Sequence, residues 1–301
     1  VNKLFKETLA DFFSLDQFEA RRVLHGRGQL FPGLEQLFVD WYPPVLYVAV
    51  YKKLEDESNL EEFVRSIDKQ QQIKSLVLQK RYDKNSLARN LIGDELYKAI
   101  VREGELVFEV RPGMHQNAGL FLDMRLLRAW LQANSVDRNV LNLFAYTCSL
   151  SVAALAGGAN SVTNVDISKT SIVWGNENHK LNKQDSRCIK VIPHNIFHSW
   201  GRIKQYGRYD TVLIDPPTKQ RGSFDVVKNY SAVLKKLPQL CHPKATVIAT
   251  VNSPFLDADF LPLRFSKIIP KAILIEEMPI AEEFFDKYPD RALKIYRFEM
   301  P

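Results

Sequence analysis

The sequence predicts an α/β protein: a Rossmann-like, mostly parallel seven-stranded sheet over residues 113–301, preceded by a smaller α/β accessory domain over residues 1–112. Three observations carry this reading. Five short apolar runs, 140–144, 162–165, 189–192, 211–214 and 246–251, alternate with helix-length segments, which is the pattern of strands buried on both faces and joined by crossover helices. Two further β-rich runs, 272–275 and 293–298, close the chain and suit a terminal antiparallel pair. Before about residue 112 that alternation is missing, and short helical and β-rich stretches mix.

Taken in order, residues 2–23 place Leu4, Phe5, Leu9, Phe12, Phe13, Leu15 and Phe18 near helical spacing, with Ser14 and Asp16 offering a break, so two short helices are expected. After the loop His25-Gly26-Arg27-Gly28, residues 37–41 and 45–51 read as strands around a Pro43-Pro44 turn. Ser58 and Asn59 precede a helix reaching Ile67, and 73–79 is β-rich again. Residues 120–131 have the apolar period of a helix and carry Arg125 and Arg128. The regular strand and helix alternation begins after it.

Composition narrows the class. With 46% hydrophobic and 25% charged residues among 301, the chain is neither disordered nor collagen-like and can bury a sizeable core. No apolar run approaches the roughly 18 residues that a membrane helix needs. Glu7 falls where an export signal would be apolar, so no such signal is read. Cys148, Cys188 and Cys241 stand far apart with no CxxC pair, so no disulfide framework and no metal cluster is expected, and a cytoplasmic location suits the chain. A formal net charge of +6 favours polyanionic partners without requiring one.

In an open parallel sheet, ligands bind beyond the carboxyl ends of the strands, where the winding reverses. After the first strand comes Ala145-Tyr146-Thr147-Cys148-Ser149, a small hydroxylated turn leading into a helix, which can present backbone donors to a ligand. It lacks a GxGxxG pattern, and a positive φ at Cys148 would cost a non-glycine residue about 1–2 kcal/mol. The second strand ends in Asp166-Ile167-Ser168, about where a carboxylate accepts hydrogen bonds from ribose hydroxyls; capping the next helix is the plainer role. The third runs into His194-Asn195-Ile196, where Asn195 suits an adenine amino group and Ile196 or Ile167 a face of its ring. His194 and His198 have no ligand-spaced carboxylate or thiolate beside them, so no metal is expected. The fourth ends in Asp215-Pro216-Pro217-Thr218, where two prolines fix an extended path and aim acceptors at the cleft.

With these residues in view, the chain resembles the class I S-adenosylmethionine-dependent methyltransferases. The resemblance rests on Asn117 to Arg125, Val140 to Thr147, Val165 to Lys169, Glu177-Asn178 and Asp215 to Thr218, in order from about Phe108 onward. The subgroup is that of the bacterial 23S ribosomal RNA methyltransferases, closer to the guanine-7 branch than to the cytosine-5 branch. Residues 25–44 are similar to that group's central accessory domain, and no amino-terminal RNA-binding domain of the PUA type is evident.

The resemblance implies S-adenosylmethionine as cofactor. Asn117, Phe121, Asp123 and Arg125 would border it, and the turn bearing Asn142, Phe144, Ala145, Thr147 and Ser149 would receive its methionine end. Asp166 and Ile167 would meet the ribose, Asn195 and Ile196 the adenine, and Asp215 the approach to the methyl group. Arg125 suits the methionyl carboxylate. Relatives commonly carry Thr-Gly where this chain has Thr147-Cys148.

Methylation at cytosine carbon 5 needs a cysteine that attacks the base. Cytosine-5 relatives carry Ser-Cys-Ser after the fifth strand, where this chain reads Thr250-Val251-Asn252-Ser253. The expected mechanism is therefore direct transfer to a ring nitrogen of a ribosomal RNA base, guanine favoured, with Asp215, Pro216 and Thr218 as catalytic candidates. Phe224 and Tyr230 are candidate platforms for a swung-out base, and Lys219, Arg221, Lys228, Lys235 and Lys236 are candidate phosphate contacts. The expected partner is 23S ribosomal RNA or an assembly intermediate, with a homodimer as the assembly carried forward. A methyltransferase of small molecules or proteins, and a non-catalytic RNA-binding protein, stay open as alternatives.

Overall fold

In the computed structural model, residues 3–54, 57–83, 88–93, 98–220 and 222–301 are described. Two compact units emerge, Val1–Asp123 with Ala281–Pro289, and Met124–Ile280 with Asp290–Pro301. Residues 113–123 thus group with the accessory unit, as does a short segment late in the chain, a division other than the expected one at 112/113.

The first unit contains α1 (Lys3–Phe12), β1 (Arg21–His25), β2 (Leu37–Tyr42), β3 (Val45–Val50), α2 (Leu60–Ile67), β4 (Ser75–Lys80), β5 (Ala88–Ile92), β6 (Ala99–Glu103) and β7 (Leu106–Val110). Strands β1 to β5 form one sheet in that order, antiparallel except for β3 and β4, whose parallel pairing the α2 crossover makes possible. Phe5, Leu9, Leu60 and Val64 of the helices pack in one cluster with Val39, Leu46, Val48 and Leu76 of the sheet. Strands β6 and β7 make a separate hairpin.

One expected element is not formed. The second helix of residues 2–23 gives way to irregular chain and β1; Leu15 and Phe18 are exposed, the Ala20 N–H donates to the Arg102 carbonyl, and Arg21 pairs with Trp41. Pairing with β2 outweighs a helical period only a few residues long.

The second unit contains α3 (Arg125–Asn134), β8 (Asn139–Leu143), α4 (Ser149–Ala156), β9 (Ser161–Val165), α5 (Lys169–Leu181), β10 (Ile189–Ile192), α6 (Trp200–Gln205), β11 (Tyr209–Ile214), β12 (Lys219–Gln220), β13 (Phe224–Asp225), α7 (Val226–Leu234), α8 (Leu237–Leu240), β14 (Cys241–Val251), α9 (Phe260–Ile268), β15 (Ile273–Glu277) and β16 (Lys294–Glu299). Its seven-stranded sheet has the order β10-β9-β8-β11-β14-β16-β15. The first five strands are mutually parallel, and β16 runs antiparallel to both β14 and β15, as the apolar runs predict.

Winding reverses between β8 and β11, so the crevice for a ligand opens at their carboxyl ends. Leu141, Leu143, Val212, Ile214, Val247 and Ala249 bury the strands beneath it. The Tyr230 hydroxyl, wholly buried, donates to the Ile214 carbonyl at 3.4 Å and the Thr250 carbonyl at 3.1 Å, tying together the ends of β11 and β14.

Candidate active site

The turn after β8 is built from left-handed backbone. Phe144, Tyr146 and Cys148 all have positive φ, at 62°, 48° and 61°, a conformation costing each about 1–2 kcal/mol that glycine would adopt freely. Neighbouring groups hold it in place. Asp166, at the end of β9, accepts the Tyr146 N–H at 2.9 Å through one oxygen and the Ser168 N–H at 2.8 Å through the other. The buried Asn178 side chain of α5 donates to the Thr147 carbonyl at 2.9 Å.

Room for the Cys148 side chain comes from Gly175, also in α5. A Cβ added at Gly175 would fall 2.4 Å from the Cys148 sulfur. Cys148 is fully buried, and burial together with the Asp166 charge pushes its thiol up, so it is neither a nucleophile nor open to a ligand.

Behind the turn runs a buried polar chain. The Asn142 amide donates to Ser151 Oγ at 2.8 Å, and Ser151 donates to Asn164 Oδ1. Asn164 Nδ2 lies 3.3 Å from His179 Nε2, His179 Nδ1 lies 2.6 Å from Gln184 Oε1, and Gln184 Nε2 donates to the Val152 carbonyl at 2.7 Å. Burial holds the His179 pKa below the usual imidazole value. Asn142, expected at the cofactor, thus spends its side chain inside this chain.

The other expected residues fall as follows. Ala145 is buried against Cys148 and Ile172, and Thr147 is buried. Ser149 opens α4 and accepts from Arg128 at 3.5 Å; Arg128 is wholly buried, and Arg125 starts the same helix three residues earlier. Asp166 is partly exposed, and burial raises its pKa against the two N–H bonds that lower it. It does not itself cap α5, because Ser168 does so through the Ser171 N–H.

Asn195 Oδ1 accepts the Phe197 N–H at 2.9 Å, which fixes the side chain. Of the two isoleucines, Ile167 is 41% exposed and can cover a ring, whereas Ile196 belongs to the hydrophobic core. Asn117, Phe121 and Asp123 belong to the first unit, with Phe121 partly exposed. His194 and His198 are exposed, and among the described residues no group of three or more His, Cys, Asp or Glu could hold a metal.

At the end of β11, Asp215 Oδ1 accepts the Thr250 hydroxyl. Thr218 donates its own hydroxyl to the Asn252 carbonyl at 2.5 Å, which closes the Asp-Pro-Pro-Thr turn onto the end of β14. Pro216 is buried, and Pro217 and Thr218 are exposed.

Neither aromatic candidate has a face open to a base. Phe224 and Tyr230 are core residues, Phe224 lying parallel to Phe197 at 6.3 Å and edge-on to Phe144 at 4.8 Å. Lys235 is exposed at the carboxyl end of α7. Lys236 lines a hollow of about 180 Å³ with Trp200, Lys204 and Leu240, beside Cys241 at the amino-terminal end of β14. Lys219 and Lys228 are exposed near Thr218, whose carbonyl accepts the first N–H of α7, and Arg221 lies outside the described residues.

A left-handed turn at the switch point, a carboxylate ending the second strand and an Asp-Pro-Pro-Thr turn ending the fourth together suit a nucleoside-type ligand. The family described as S-adenosylmethionine-dependent methyltransferase matches residues 21–299. The chain belongs to this family. The methyltransferase therefore takes S-adenosylmethionine as its cofactor, and the carboxylates of Asp166 and Asp215 and the guanidinium of Arg125 are of the chemistry that its hydroxyls, its sulfonium and its methionyl carboxylate call for.

Similar proteins include a Pseudoalteromonas translucida protein named ribosomal RNA large subunit methyltransferase K/L, 34% identical over 166 residues, covering 51% of this chain and 22% of the relative. Its Shewanella pealeana namesake is 36% identical over 167 residues, covering 54% and 23%. The methyltransferase chain thus matches less than a quarter of those relatives' length. A Streptococcus mutans S-adenosylmethionine-dependent methyltransferase of known structure shares the fold with a TM-score of 0.84 at 22% identity, covering 99% of this chain and 80% of that one. Among the described residues no helix is long and apolar enough to cross a membrane.

Sequence reasoning passed over Gly175, Thr250 as the partner of Asp215, and the Asn178 bond to the turn. Glu177-Asn178 was visible as a motif, but nothing in it showed which carbonyl it meets.

Proposed function

We propose that the methyltransferase modifies a base of large-subunit ribosomal RNA, guanine at a ring nitrogen, in the cytoplasm and without a covalent cysteine intermediate. One observation carries the reading: the carboxyl end of β14 presents Thr250 to Asp215 and has no thiol, while the buried Cys241 stands at the strand's other end. The relatives' names, ribosomal RNA large subunit methyltransferase, support the substrate class.

When bound, S-adenosylmethionine supplies an electrophilic methyl group on a sulfonium centre. Arg125 pairs with its carboxylate, Asp166 accepts from the ribose and Asn195 meets the adenine. Asn117, Phe121 and Asp123 are assigned to the cofactor by motif, and Ile167 by its exposure. Asp215, aimed by Thr250, and the carbonyls around Pro216 accept the N–H donors of a guanine edge, with Thr218 holding the turn. The ring nitrogen's lone pair then needs positioning more than activation.

The test is transfer of tritium from labelled S-adenosylmethionine to a 23S ribosomal RNA transcript, beside parallel reactions with small-molecule extracts and with protein. Label in the transcript, recovered as methylguanosine after nuclease digestion, is expected. Label only in the other two reactions would remove the RNA assignment.

We also propose that the protein is a homodimer formed through β15. Ile273, Leu274 and Ile275 are exposed by 57%, 43% and 42% on the edge strand of the sheet, where unpaired backbone invites another strand. Glu276 and Glu277, which follow the trio, are ion-paired with Arg297 and Lys294 of β16 at 2.7 and 2.8 Å, so a second copy in antiparallel register pairs through backbone groups and the apolar trio. Sedimentation velocity is expected to show a dimer that Leu274→Lys converts to monomer at unchanged melting temperature; a monomeric parent protein would refute this.

A further inference from the structure

Beyond β14 the chain does something unusual for an apolar residue. Phe255 is 90% exposed, more than any other large apolar side chain among the described residues. Single exposed apolar residues are commonplace and mean nothing by themselves. Its position gives this one meaning.

Phe255 stands five residues beyond Thr250, whose hydroxyl touches Asp215, and three beyond Asn252, whose carbonyl accepts the Thr218 hydroxyl. The loop that carries it is therefore fastened to the Asp-Pro-Pro-Thr turn. It is also ordered within itself. Ser253 is buried, its hydroxyl accepts the Phe255 N–H at 3.4 Å, and its carbonyl accepts the Leu256 N–H at 3.4 Å. Leu256 packs onto the main hydrophobic cluster. With Ser253 buried two residues before it and Leu256 packed inward just after it, the ring of Phe255 is left facing solvent at the substrate end of the sheet.

Fixing an aromatic ring in water forfeits the favourable free energy of its burial. A flat, apolar, π-faced ligand would recover it. We infer that Phe255 is the stacking surface for the target base once that base has swung out of the RNA, the role that buried Phe224 and Tyr230 cannot fill. This rests on the RNA reading above and adds to it a specific residue and a mode of contact. Stacking accepts any base, so Phe255 sets how firmly the nucleotide is held, and Asp215 sets which edge is read.

The experiment compares the parent protein with Phe255→Ala and Phe255→Tyr, using the 23S transcript and labelled S-adenosylmethionine. Phe255→Ala is expected to lower kcat/KM for RNA by about 10-fold or more, the scale of one lost base–aromatic stack. Cofactor affinity by calorimetry and melting temperature should stay at the parent's values. Phe255→Tyr should retain activity within about two-fold, since the aromatic face persists. In Phe255→Trp, emission should be quenched on adding the transcript. Parent activity on RNA with Phe255→Ala equal to it would overturn the stacking role alone. A parent protein inactive on RNA but able to bind the cofactor would overturn both this role and the RNA reading.

Discussion

Asp166→Ala is expected to weaken the affinity for S-adenosylmethionine and its demethylated product by about 100-fold, or about 2.7 kcal/mol. The carboxylate does two things at once. It accepts the Tyr146 and Ser168 N–H groups, which sets the path of the turn after β8, and its partly exposed face is the proposed ribose acceptor. Losing it leaves two N–H groups to find other partners and removes the charge-assisted bonds to the hydroxyls. Asp166→Asn retains one carbonyl acceptor, so its loss should be smaller, about 10-fold. Titration calorimetry with the demethylated product, which is chemically inert, reads the effect directly. An affinity within three-fold of the parent for Asp166→Ala would remove the carboxylate from the cofactor site.

The second large effect is expected at a residue that touches no ligand. Gly175→Ala should destabilise the protein by about 3 kcal/mol, because the new methyl meets the Cys148 sulfur at 2.4 Å and the Thr147 carbonyl carbon at 3.1 Å. Neither neighbour can yield easily: the sulfur is fully buried, and the Thr147 backbone is held by Asn178. Adding Cys148→Gly should recover most of that loss, since it removes the obstructing side chain and relieves the left-handed strain of about 1–2 kcal/mol. Urea denaturation of the two single variants and the double variant forms the cycle. Strict additivity would show that the two positions do not share one space.

The parallel core of the catalytic unit was legible because its strands are buried on both faces, which leaves uninterrupted apolar runs such as Val212 to Ile214. Strands β5 to β7 were not. In β6, buried Ala99 and Val101 alternate with exposed Ile100 and Arg102, so part of its apolar content faces water and no continuous run appears.

The same contrast holds at the site. Asp166 and Asp215 could be found from their places after apolar runs, and the cost of a positive φ at Cys148 could be foreseen. Gly175 could not, because the matching of a cysteine to a glycine 27 residues away is a packing relation with no local signature. Exposure was equally hidden. Phe224, Tyr230 and Phe255 are all aromatic residues beyond a strand, and only the fold separates the two that fill the core from the one that faces solvent.

The buried chain from Asn142 to Gln184 has a direction. Gln184 spends its amide nitrogen on Val152, so its oxygen faces the ring and His179 carries its single proton on Nδ1. The bare Nε2 then receives Asn164, whose oxygen receives Ser151, whose own oxygen receives Asn142. Five donors thus point one way along a single file, and a second proton on the imidazole would turn it to face the Asn164 amide, donor against donor. Acid would therefore reach the turn after β8 from beneath, through buried Asn142 at the foot of that turn.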